Sequence, residues 1–198
     1  MAPEAELGPL AGRLRRHELT AGAWVDHLPG WVRGSDAVLR ALLTEVDWRA
    51  ERRWMYDGQV DVPRLLRWYG ADERLPHALL TTARSRLTEH YAAELGEPFV
   101  TAGMCLYRDG HDSVAWHGDT QGRSSRVDTM VAIVSFGSPR PLLLRERGGP
   151  ARRRFPVGHG DLIVMGGSCQ RTWEHCIPKT MRPVGPRVSV QFRPDGVS

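Results

Sequence analysis

Cysteine, lysine and long apolar runs are all scarce in this chain of 198 residues. The three cysteines, Cys105, Cys169 and Cys176, are odd in number and show no CxxC spacing. That argues against a disulfide framework or a zinc knuckle and makes a reducing cytoplasm the expected setting. No run approaches the roughly 18 apolar residues that a membrane-spanning helix needs, so no membrane partner is expected. The segment Met1 to Leu19 mixes Glu6, Arg13, Arg15, Arg16 and Glu18 with small residues and lacks the apolar stretch of a secretory signal. Neither a G-x-G-x-x-G fingerprint nor a P-loop occurs, which leaves nucleotide-cofactor folds unsupported. Lysine is nearly missing: Lys179 is the only one among 27 basic residues. The net charge of +4 and pI of about 9.3 therefore rest on arginine. Arginine suits phosphate recognition, but its spread along the chain reads first as a coding bias, so charge alone selects no partner.

What remains is an ordinary globular composition, 41% hydrophobic and 25% charged, in a chain long enough for one substantial core. The first part reads as helical. Ser35 or Asp36 can cap a helix with Val38, Leu39, Leu42, Leu43 and Val46 at helical spacing. A second helix is expected from Pro76 to Leu95, with Leu79, Leu80, Ala83, Leu87 and Tyr91 on one stripe and Gly96 as its stop. Beyond it the pattern shortens to strands at Phe99–Tyr107, Thr129–Phe136, Leu142–Arg145, Asp161–Met165 and Arg187–Arg193. Glycine and proline turns separate them, which favours a jelly roll or barrel over a doubly wound sheet.

His117 and Asp119 stand two apart. On a strand, positions i and i+2 point the same way, whereas on a helix they do not. With His175, returning from another part of a barrel, they make the two-histidine, one-carboxylate set that holds Fe(II) on one face and leaves the other positions open. A His-Gly-Asp surface turn would explain the tripeptide taken alone. The strand Arg187–Arg193 adds independent weight, because Val188, Val190 and Phe192 alternate with Arg187, Ser189, Gln191 and Arg193. Arg187 and Arg193 share a face about 20 Å apart along the backbone and offer bidentate forks for an acidic co-substrate. His159 and His111 read as turn or loop residues, and His17, His27, His77 and His90 as surface residues.

From Trp48 to Pro194 the chain resembles the AlkB-type Fe(II)/2-oxoglutarate dioxygenases. The resemblance is carried by Pro63-Arg64-Leu65-Leu66-Arg67-Trp68-Tyr69-Gly70, Leu106 to Asp119, Val134-Ser135-Phe136-Gly137, His159 to Met165, Trp173 to Lys179 and Pro186 to Arg193. It implies a mainly β fold with flanking helices, built on a double-stranded β-helix, or jelly-roll, core. Residues 1–47 would form an N-terminal helical extension packed on that core. Residues 48–198 would form the dioxygenase domain with its nucleotide-recognition lid. His117, Asp119 and His175 would hold Fe(II), with 2-oxoglutarate and O2 as co-substrates. Arg187 would pair with the distal carboxylate of 2-oxoglutarate, assisted by Tyr107, and Arg193 would lie nearer the metal end. Trp68 and Tyr69 would belong to the base-binding region. Arg52, Arg53 and Arg152-Arg153-Arg154 are candidate phosphate contacts.

Three positions depart from the family's pattern. Cys105 and Ser189, which border the co-substrate, stand where asparagine is common, and Gln121 stands where an acidic residue commonly helps read the base. The expected activity is oxidative demethylation of 1-methyladenine and 3-methylcytosine in DNA, releasing formaldehyde, succinate and CO2, by a monomeric protein. The same chemistry on RNA, a protein side chain or a small metabolite is one alternative. A nucleic-acid-binding module without catalysis is another.

Overall fold

Three layers position the site, and both faces of the central one are mostly apolar. The computed structural model describes residues 4–55, 58–121 and 123–197, with side chains outside the described set for 53–60. The phosphate contact expected of Arg53 therefore lies outside the described residues. In chain order the elements are β1 (Glu6–Leu7), β2 (Arg15–Glu18), β3 (Ala23–Leu28), β4 (Val32–Arg33) and α1 (Ser35–Glu45). Next come β5 (Arg49–Met55), β6 (Gly58–Tyr69), α2 (Ala78–Leu95), β7 (Thr101–Tyr107), β8 (Val114–His117) and β9 (Val131–Gly137). The chain ends with β10 (Arg140–Glu146), β11 (Ala151–Val157), β12 (Leu162–Gly167), α3 (Cys169–Thr172), β13 (Trp173–Ile177) and β14 (Arg187–Arg193).

An eight-stranded sheet in the order β2-β3-β12-β9-β14-β7-β6-β5 faces a four-stranded sheet in the order β11-β10-β13-β8. Two apolar clusters cover the two faces of the larger sheet. One joins Val38 and Leu42 of α1 and Leu80, Leu87 and Tyr91 of α2 to Ala102, Met104, Val134, Val164 and Val190 on the outer face of the larger sheet. The other lies between the sheets and includes Val25, Val131, Ile133, Leu144, Phe155 and Ile163. Strand β9 shows the logic: Val131 and Ile133 face one cluster, and Ala132, Val134 and Phe136 face the other. Burial on both faces turns an alternating strand into a continuous apolar run. The architecture is the mainly β jelly roll with flanking helices that the turn pattern indicated.

The structure corrects the reading of residues 1–47. They supply α1, but β3 is no part of a helical extension. It pairs with β12 along its whole length inside the larger sheet. Its residues Ala23 to Val25 sit in both apolar clusters, so a strand rather than a helix satisfies that pattern. The helix starts differ as well. Ser35 donates to the Val32 carbonyl at 2.7 Å instead of capping α1. Helix α2 begins at Ala78, where His77 Nδ1 accepts from the Leu79 N–H at 3.1 Å.

Candidate metal and co-substrate centre

His117 ends β8 and His175 sits directly opposite it on β13. This antiparallel pairing sets the two imidazoles side by side, with ring centroids 4.3 Å apart. Asp119 follows on the turn leaving β8. The ligating atoms of the three residues lie within 4.8 Å of one another. The turn is tight: a Cβ on Gly118 would stand 2.3 Å from the Gln170 carbonyl oxygen, so only glycine fits between the two ligands.

Each ligand is prepared by its neighbours. His117 Nδ1 lies 2.8 Å from the Ala115 carbonyl, which fixes the proton there and leaves the Nε2 lone pair free, 3.6 Å from Asp119 Oδ1. Burial, reinforced by His117, pushes the His175 pKa down to about 3, so that imidazole is neutral and able to ligate. Burial alone would raise the Asp119 pKa, but Arg193 and then the two histidines outweigh it and hold the carboxylate well below its ordinary range. Arg193 Nε and Nη2 contact Asp119 Oδ2 at 2.8 and 2.7 Å, leaving Oδ1 toward the histidines. Gln170 Oε1 accepts from the Asp119 backbone N–H at 2.9 Å. These residues fit Fe(II): two imidazoles and one ionised carboxylate oxygen converge, each backed by a hydrogen bond or by burial.

Strand β14 runs through the middle of the larger sheet, between β9 and β7. Its polar face looks into the sandwich rather than into water. Arg193 Nη2 donates to Gln191 Oε1 at 2.9 Å, and Gln191 Nε2 reaches Ser189 Oγ at 3.0 Å and Cys105 Sγ at 3.3 Å. Ser189 and Cys105 are cross-strand partners. At the two positions where the family commonly places asparagine, small side chains thus share one amide, that of Gln191.

At the far end, Arg187 is 3% exposed and donates from Nε to Ser135 Oγ at 2.8 Å. Its guanidinium carbon lies 5.1 Å from the centre of the Tyr107 ring. Burial, and then Cys105, push the Tyr107 phenol up to about 12, so the hydroxyl keeps its proton at neutral pH. Arg187 Nη1 is buried with no partner among the described residues. Such an orphaned charged donor is costly unless a ligand completes it. A carboxylate end of 2-oxoglutarate fits that need.

Trp68 and Tyr69 part company. Successive strand side chains point to opposite faces. Trp68 faces the site, 40% exposed, with its ring over Gly103, where a Cβ would meet it at 3.3 Å. The Arg193 guanidinium lies 5.7 Å from the Trp68 ring centre. Tyr69 is packed in the helix-side cluster, so its assignment to base binding is corrected: it is a core residue, with Arg67 4.4 Å over its ring. Gln121 is exposed on the loop leaving Asp119, and its carbonyl accepts from Ser124 Oγ at 2.9 Å.

Three residues carry structure at this site that no sequence signal marked. Gln170 holds Asp119. Arg140, 2% exposed, donates to the carbonyls of Asp109, Asp112 and Pro178, tying together the loops that precede β8 and follow β13. Arg64 extends from β6 onto the face shared with Cys105 and Tyr107.

The sequence profile of the 2OG-Fe(II) oxygenase superfamily matches residues 33–193. The chain belongs to that superfamily. Membership implies Fe(II), 2-oxoglutarate and O2, with His117, Asp119 and His175 as a candidate iron site. Among curated relatives, the human alpha-ketoglutarate-dependent dioxygenase alkB homolog 3 is 30% identical over 190 residues, covering 83% of this chain. The human DNA oxidative demethylase ALKBH2 is 30% identical over 116 residues, covering 54% of this chain and 44% of the relative. Both relatives are AlkB-type enzymes, to which this chain is similar. The chain spans 64% of the length of the alkB homolog 3 relative. The solved structure of OsALKBH1 superposes with a TM-score of 0.61 at 14% identity, covering 91% of this chain and 100% of that one, a likeness of fold.

Proposed function

We propose that this oxygenase removes N-methyl groups from 1-methyladenine and 3-methylcytosine in DNA. The observation that carries the substrate class is Trp68: an exposed indole packed on Gly103 beside the Arg193–Asp119 pair. An exposed aromatic face next to the reacting centre is a stacking platform for a base, a contact worth about 1–3 kcal/mol. The names of the AlkB-type relatives support the same reading.

Fe(II) held by His117, Asp119 and His175 would supply, with 2-oxoglutarate and O2, the oxidising power to hydroxylate a methyl C–H bond, the second oxygen atom leaving in succinate alongside CO2. The resulting N-hydroxymethyl group releases formaldehyde and leaves an N–H on the base. The chain's own residues do the rest. Arg187 and Tyr107 bind and orient the distal carboxylate. Arg193 occupies one Asp119 oxygen, so the carboxylate offers the other. Buried His175 keeps its lone pair available. Trp68 stacks the base. In a duplex the base must first be flipped out, which costs a few kcal/mol and less for a damaged pair.

The test is formaldehyde release from oligonucleotides carrying 1-methyladenine or 3-methylcytosine, as DNA and as RNA, with succinate measured in parallel. Turnover on methylated DNA, lost in both His117→Ala and Asp119→Ala, is expected. Succinate formation that no methylated nucleic acid stimulates would sink the proposal. Turnover on RNA alone would move the substrate. Retained turnover in both variants would refute the ligand assignment and leave a binding module as the better account.

A further inference from the structure

Two edge strands, β2 of the larger sheet and β11 of the smaller, bound an open side of the sandwich. Between them runs a groove of about 830 Å³ whose rim carries Arg13, Arg15 and His17 on one side and Arg153 and Arg154 on the other. Phe155 forms its floor, with the His17 and His27 rings edge-on to it at 5.1 and 5.8 Å. His27 Nε2 is buried there without a partner among the described residues. A second cavity of about 360 Å³ shares Arg153 and continues past Arg152 to Trp173. Trp173 precedes the ligand His175 by two residues on the same face of β13, about 7 Å away. The path therefore leads from the edge toward the strand that holds the metal.

Arginines are paired at many places in the chain, Arg16 of β2 among them, but those lining these two cavities are not. Arg16, Arg52, Arg108, Arg145 and Arg171 are held in ion pairs with nearby carboxylates. Arg13, Arg15, Arg152, Arg153 and Arg154 make no side-chain hydrogen bond or ion pair among the described residues. The acids lining the two cavities are Glu18 and Glu146, and Glu146 is engaged by the Thr20 hydroxyl at 2.8 Å. Charged edge strands resist unwanted pairing, but that task needs neither a concave surface nor an excess of one sign. A basic groove with rings at its base matches a polyanion with repeating phosphates.

We propose that this groove binds the sugar-phosphate backbone of a nucleic-acid strand whose target base is at the iron. The proposal rests on the nucleic-acid reading above. Its experiment uses fluorescence anisotropy with unmethylated single-stranded DNA of about 5 and about 20 nucleotides, titrated with salt. Arg153→Glu is compared with Arg40→Glu, which makes the same charge change on exposed, remote α1. Arg153→Glu is expected to weaken binding of the long strand about tenfold or more and leave the short one within about twofold. Arg13→Ala/Arg15→Ala/Arg153→Ala is expected to reduce the slope of log affinity against log salt by about 2, three phosphate contacts at about 0.7 each. Thermal melts identify any variant that fails to fold, and Arg153→Gln then replaces it. Equal effects of Arg153→Glu and Arg40→Glu, or full displacement of the oligonucleotide by the same phosphate concentration of inorganic phosphate, would overturn the groove. Formaldehyde release by the unsubstituted protein from a methylated oligonucleotide of about 5 nucleotides tests the demethylase reading separately.

Discussion

Strands β14 and β11 both carry several arginines, and they treat them oppositely. On β14, Arg187 and Arg193 are buried, 3% and 7% exposed, and bonded to Ser135, Gln191 and Asp119. On β11, Arg152, Arg153 and Arg154 are exposed and unpaired among the described residues. The residue type and the secondary structure are the same. What differs is place: β14 is central in the larger sheet, whereas β11 closes the smaller one at its edge. A central strand drives its polar face into the sandwich, where every charge needs a partner or a ligand. An edge strand leaves its charges in water, free to meet a partner from outside.

Arg193→Met strikes hardest at this contrast. It leaves the buried Asp119 carboxylate unpaired, and removing one partner of a buried pair costs about 3–5 kcal/mol. Chemical denaturation should report that loss. An unchanged midpoint would mean that the pair contributes nothing to the fold.

Arg187→Met should act on the co-substrate. Losing charge-assisted hydrogen bonds worth about 1.5–3 kcal/mol each is expected to raise the KM for 2-oxoglutarate by about 100-fold or more. The KM for methylated DNA should stay put. A comparable rise in both constants would show that Arg187 supports the fold at large rather than the carboxylate.

Gln170→Leu probes the network from outside β14. Residues that orient a metal ligand typically contribute about 10–100-fold in metal affinity, so Fe(II) affinity should fall by that factor at a near-normal melting temperature. Unaltered affinity would reduce Gln170 to packing.

The smallest effect belongs to the edge. Arg154→Gln is expected to change stability by less than about 0.5 kcal/mol, as surface substitutions do. A loss of several kcal/mol there would erase the distinction between the two strands.

Much of the site is legible in the spacing of its residues. The i, i+2 separation of His117 and Asp119 and the alternation of Arg187–Arg193 each require extended chain. His117 closes β8, with Asp119 just beyond it, and the arginines bound β14. The spacing of α2 is equally plain. Strand β3 is not, because Ala23 to Leu28 is buried on both faces and loses the period that would announce it. The Trp68-Tyr69 pair can be seen as aromatic but not sorted, since neighbours on a strand part to opposite faces and only the sheet says which face is which. Gln170 and Arg140 give no signal. Each acts through backbone atoms of segments distant in sequence, Asp119 for one and Asp109, Asp112 and Pro178 for the other.

The second imidazole, His175, joins only when β13 pairs with β8. Residue types and local periods, both written in the sequence, suffice for His117 with Asp119 and for arginines on an alternating strand. These follow from short-range geometry, which spacing encodes. Other features arise only once the sheets are assembled: which arginines are buried, that Gln191 bridges Ser189 and Cys105, and that Trp68 rather than Tyr69 faces the site. The gathering of unpaired arginines at an open edge beside β13 is of the same kind. All of these depend on which strands become neighbours, and strand pairing across the sandwich is a property of the whole chain that no local spacing contains.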